Sequence, residues 1–162
     1  MARRVFFSFH FERDVFRANQ VRMCNVVHGC DTAGYFDHSE YTDAKTRGER
    51  AIQRMIDKHL DGTSVTVVLI GNETASRPWV RYEIDQSIKR GNGLLGMRIH
   101  HLKDHWGRTD FPGSTPSVPF LTSFPVYDWR HDARWFAGLI EEAAQRAQSG
   151  TNAGWLEALL RA

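Results

Sequence analysis

The chain has 162 residues, 41% hydrophobic and 25% charged, with a formal net charge of +2. That composition suits one folded domain over residues 1–162 with a real core, and it excludes a disordered chain. The small net charge and the lack of any basic run argue against a nucleic-acid partner, and no apolar run is long enough to span a bilayer.

Two arginines, Arg3 and Arg4, precede the apolar run Val5-Phe6-Phe7-Ser8-Phe9, as at the start of a signal peptide. His10, Glu12, Arg13 and Asp14 interrupt that run too early, so residues 4–9 read as a first strand. Asp14 is the expected cap of a helix reaching Val26, with Val15, Ala18, Val21 and Arg22 at helical period. Residues 29–33 read as a turn, 34–37 as a short second strand and 37–45 as a polar loop. Residues 46–60 form one amphipathic helix in this reading, with Ile52, Met55, Ile56 and Leu60 as its apolar stripe.

Residues 64–70 carry the strongest strand signal. Their near-continuous apolar character suits a central strand covered on both faces. A loop over 71–77 leads to a helix over 78–90, where Pro78 fits the first helical position. On that helix Trp79 and Glu83 share one face, and Val80, Ile84 and Ile88 make a neighbouring face that can pack on a sheet. Residues 94–100 read as a fourth strand, 101–123 as a long surface loop and 124–129 as a fifth strand. A final helix is marked by Trp135, Phe136, Leu139, Ile140 and Ala143, with a short helical tail over 153–160. The alternation predicts an α/β fold, an open parallel sheet with helices on both faces and a flavodoxin-like strand order.

Ligands of such folds bind beyond the carboxyl ends of the strands. An indole and a carboxylate together there suit a ligand with a ring to stack and an electron-poor centre to stabilise. The acidic segment Asp37-His38-Ser39-Glu40-Tyr41-Thr42-Asp43 also follows a strand. It can close over a nucleotide, or Asp43 can cap the next helix, and the two readings are compatible. Cys24, His28 and Cys30 supply only three soft ligands at no standard zinc spacing, and His100, His101 and His105 read as a solvated loop start. No metal is therefore expected, and the two cysteines suggest reduced thiols in the cytoplasm. No GxGxxG follows the first strand, and there is no Walker A sequence and no GxSxG nucleophile elbow, which disfavours a conventional Rossmann dehydrogenase or P-loop NTPase.

Residues 4–9 resemble the first strand of TIR and TIR-like domains. Ser76, Trp79 and Glu83 are similar in spacing to the TIR motif in which a serine and a tryptophan precede the catalytic glutamate. The closer similarity is to the TIR-like proteins of bacterial Thoeris anti-phage systems. It is carried also by Phe36-Asp37 with Asp43-Ala44-Lys45, by Asn72 through Glu83, and by Val126-Tyr127-Asp128-Trp129. The resemblance weakens over residues 101–123.

The resemblance implies cleavage of NAD at the nicotinamide–ribose bond and formation of a cyclic ADP-ribose isomer that activates a separate effector. It implies Glu83 as the catalytic residue, and Trp79, Phe6, Ser8, Phe9, Asp37, Tyr41 and Asp43 as substrate-binding residues. NAD is then substrate, with no cofactor. Self-assembly between TIR domains or a phage-derived trigger is the implied activation. The alternative is a TIR-like interaction module without chemistry, against which Glu83 counts, because an adaptor needs no acid beside Trp79. A receiver domain is a poor third: it needs acidic residues where these strands end in Ser8-Phe9-His10 and Gly71-Asn72.

Overall fold

The computed structural model describes residues 3–27, 31–34, 38–118 and 123–150. At its centre β1 (Arg4–Ser8) pairs in parallel with β3 (Val65–Ile70), with Val5 opposite Val65 and Ser8 opposite Val68. β2 (Asp31–Gly34) lies outside β1, while β4 (Gly93–Arg98) and then β5 (Val126–Asp128) extend the other side. Every pairing is parallel and the order is β2-β1-β3-β4-β5, the flavodoxin-like arrangement expected from the alternation.

All six residues of β3 are buried, as a strand covered on both faces requires. Its side chains alternate. Val65, Val67 and Leu69 join one core with Phe7, Val21, Leu95 and Phe136. Val68 and Ile70 join the other with Val80 and Ile84 of α4 (Pro78–Lys89). The stripe Val80/Ile84 therefore packs on the sheet as its spacing predicts, and Ile88 packs against the same cluster. α5 (Ala133–Gln148) crosses β4 so closely that a Cβ on Gly93 would lie 2.2 Å from the Ala143 carbonyl oxygen.

Several boundaries differ from expectation. The first helix, α1 (Phe11–Val27), starts before Asp14, and Asp14 is not its cap. Its side chain is fully buried and accepts a 3.0 Å hydrogen bond from Arg17. Three-residue spacing on a helix brings the two together, whereas a cap position would have pointed the carboxylate at the backbone. The second strand lies at Asp31–Gly34, ahead of the expected 34–37, of which 35–37 fall outside the described residues. From His38 onward the segment read as a polar loop is helical: α2 spans His38–Arg47. The expected helix over 46–60 is the end of α2 followed by α3 (Glu49–Leu60). Gly48, at φ 103, separates them, a backbone that a residue with a Cβ rarely adopts. The expected helical tail over 153–160 lies outside the described residues. No described helix is long and apolar enough to cross a membrane.

Candidate active site

Glu83 is set by three local facts. Pro78 opens α4 after the extended residue Arg77, so the helix begins next to the ends of the strands. Val80 and Ile84 turn one face of α4 to the sheet. Glu83, between those faces, then points at the end of β1, where the Ser8 hydroxyl donates a short hydrogen bond to Oε2. The glutamate is only 3% exposed, and Ser8 is fully buried.

Glu83 forms part of the wall of an open cleft of about 510 Å³. Phe9, Tyr41 and Trp79 line the same cleft, with Ile52, Met55 and Ile56 of α3 as an apolar wall. Trp79 meets Tyr82 edge to face at 5.7 Å, and the Tyr82 hydroxyl donates to Asp57 at 3.0 Å, tying α4 to α3 across the cleft. Burial pushes the Glu83 carboxyl up to about 8, and the Ser8 hydrogen bond pulls the other way. Burial therefore favours the protonated acid at neutral pH. A cation entering beside it favours the carboxylate and drives the proton off.

The structure brings together four of the residues expected at the site: Glu83, Trp79, Phe9 and Tyr41. Ser8 acts on the cleft only through Glu83. Phe6 is fully buried in the core and does not line the cleft. Asp43 is also absent from it: it faces a separate groove with Ala44, Arg54 and Lys58, and pairs with Arg47 at 3.2 Å. The reason is helical geometry. With residues 38–47 wound as a helix, Tyr41 and Lys45 share the cleft face while Asp43 is turned away. Asp37 lies outside the described residues.

Sequence reasoning missed His10, Glu12, Lys45 and Arg77, which all line the cleft. His10 and Arg77 follow Phe9 and precede Pro78, so proximity to the strand ends was the available signal. Burial and then the Arg77 charge push the His10 imidazole down. His10 Nδ1 and Arg77 Nε are buried without a hydrogen-bond partner, although Arg77 Nη2 reaches Glu73 at 3.3 Å. Lys45 and Glu12 form an ion pair between α2 and α1 that no local pattern announces. Among the described residues no three His, Cys, Asp or Glu side chains are grouped to hold a metal ion. His101 is engaged with the Trp129 carbonyl at 2.7 Å, and Cys24 is a free, partly buried thiol. His28 and Cys30 lie outside the described residues.

A sequence profile of the family described as "Thoeris protein ThsB, TIR-like domain" matches residues 6–104. That match contains the end of β1 from Phe6, all of α4 and every cleft-lining residue named above. A Bacillus cereus (strain MSX-D12) protein named "Putative cyclic ADP-D-ribose synthase ThsB1" is 46% identical over 118 residues. The matched region covers 72% of this chain and 62% of that protein's length.

Proposed function

The chain belongs to the TIR-like domain family of the Thoeris protein ThsB, and from that premise we propose that it is an NAD-cleaving ADP-ribosyl cyclase. The observation that carries the reading is the buried Glu83 carboxyl in the wall of an aromatic cleft, beside Trp79 and Phe9.

The chemistry follows from the leaving group. In NAD the nicotinamide is a pyridinium: the C1′–N bond breaks, its electron pair goes to the ring nitrogen, and the departing ring becomes neutral. No general acid is needed, unlike the alcohol leaving group of an ordinary glycoside. One carboxylate suffices to stabilise the oxocarbenium-like ribosyl centre. Trp79 and Phe9 offer flat apolar faces to the departing ring. The cationic substrate itself lowers the Glu83 proton affinity, so the acid ionises as the substrate enters.

The ribosyl cation is then captured within the same ADP-ribose, either by a hydroxyl, whose proton Glu83 accepts, or by the lone pair of a ring nitrogen, with the proton lost from the adjoining exocyclic amine, and the product is a cyclic ADP-ribose isomer. Exclusion of water by the apolar wall favours this closure over hydrolysis to linear ADP-ribose. In this reading the chain is one TIR-like domain, NAD is its substrate, and neither cofactor nor metal takes part. The product is a diffusible signal to a separate effector in the cytoplasm during anti-phage defence, released by self-assembly or a phage-derived trigger.

The test is incubation of the activated protein with NAD and resolution of the products by mass spectrometry. The expected result is free nicotinamide plus a species of cyclic ADP-ribose mass. Glu83→Gln should lower turnover on the order of a hundredfold or more while keeping the fold. Undiminished NAD loss in that variant defeats the role given to Glu83, and no NAD loss from the activated unaltered protein leaves the interaction module.

A further inference from the structure

A second groove adjoins the cleft. It has a volume of about 410 Å³ and runs between the first turns of α1 and the exposed side of α2. Val15, His38 and Thr42 line it and not the cleft. Phe11, Glu12, Tyr41 and Lys45 line both. The Glu12–Lys45 ion pair therefore sits on the boundary shared by two adjoining cavities.

The aromatic side chains continue across that boundary. Phe9, in the cleft, stacks on Phe11 at 5.8 Å with 29° between planes. Phe11 stacks in turn on Tyr41 at 4.4 Å and 28°, and on His38 at 6.0 Å and 18°. A row of nearly parallel rings thus leads from beside Glu83 to the outer groove. A ligand with aromatic groups at both ends and negative charge between them matches this layout. Each end meets flat rings, and the middle meets Lys45.

Lys45 and Glu12 have side chains 58% and 51% exposed, so water screens their attraction and the ammonium is readily exchanged to another anion. Arg77, in the wall of the inner cleft, supplies a second cation on the same path. Its buried Nε makes no hydrogen bond within the protein.

We propose that the outer groove binds the adenosine end of the dinucleotide, with Lys45 leaving Glu12 to hold the diphosphate. The proposal rests on the NAD reading of the inner cleft and adds to it the part of the substrate remote from the reacting bond. Its chemical consequence is retention. When nicotinamide leaves, the ADP-ribosyl unit stays tethered by its far end, as attack from within the same molecule requires.

The test uses AMP, which carries the adenosine end and one phosphate but has no bond for Glu83 to break. Its binding to the purified chain is measured by calorimetry or by nuclear magnetic resonance titration. Thr42→Trp fills the outer groove from an exposed helical position, and Lys45→Glu reverses the boundary charge. Both substitutions replace exposed side chains, so the fold should persist, and circular dichroism checks it. AMP should bind the unaltered chain and weaken about tenfold or more in each variant, with a matching rise in KM for NAD.

No AMP binding, or binding indifferent to Thr42→Trp, overturns the proposal. So does AMP binding that Trp79→Ala abolishes and Thr42→Trp leaves intact, because the base would then lie in the inner cleft. The two readings fail separately. AMP binding sensitive to Thr42→Trp without NAD cleavage removes the catalytic reading alone. NAD cleavage unaffected by either groove variant removes this one alone.

Discussion

Replacing Glu83 with glutamine should stabilise the protein, and by an amount that grows with pH. The carboxyl is 3% exposed, and its pKa of about 8 in the folded chain stands against an ordinary 4.5. Between those values the folded chain holds a proton that the unfolded chain has lost, so stability falls as pH rises through the window. Below pH 4.5 both states are protonated and the penalty is absent. Above pH 8 both are ionised and the penalty is complete. Each pH unit within the window costs about 1.4 kcal/mol, so the full penalty is on the order of 4–5 kcal/mol.

Glutamine has no such titration, and its amide oxygen can still accept the Ser8 hydrogen bond. Urea denaturation of both proteins at pH 5, 7 and 9 measures the difference directly, and the other titrating groups cancel because both proteins share them. The expected result is near equality at pH 5 and a variant several kcal/mol more stable at pH 9. A stability difference that stays constant across this range would refute the claim that burial raises this carboxyl.

The same group should govern catalysis. Because the carboxylate is the active form, kcat/KM for NAD should rise with pH through an apparent pKa near 8 in the free enzyme, and a flat profile from pH 6 to pH 9 would contradict this. Arg17→Met leaves Asp14 buried without its partner and removes the hydrogen bonds to the Leu102 and Arg108 carbonyls at 2.8 and 3.0 Å. It should cost about 3–5 kcal/mol of stability and speed amide hydrogen exchange over residues 102–108. Gly93→Ala forces a methyl against the Ala143 carbonyl oxygen and should cost about 1–3 kcal/mol in thermal or urea unfolding.

The sequence by itself determined the sheet and the position of the acid. Residues 65–70 are apolar on both faces, and a strand that must hide both sides takes the middle of a parallel sheet. Pro78 and the Trp79/Glu83 spacing are local properties of one helix, and a local property survives whatever the rest of the chain does. Residues 37–45 were legible only as polar. The helical state of residues 38–45, and with it the exclusion of Asp43 from the cleft and the inclusion of Lys45, depends on packing of α2 against α3, an interaction between residues that polarity alone does not pair. Phe6 shows the same limit in reverse. Strand alternation places it on a face but cannot say whether that face meets a ligand or the core, and here it meets the core. The elevated Glu83 pKa, the Ser8 hydrogen bond and the adjoining outer groove are tertiary facts. Desolvation and cavity shape arise from atoms far apart in the chain, and only the folded structure brings those atoms together.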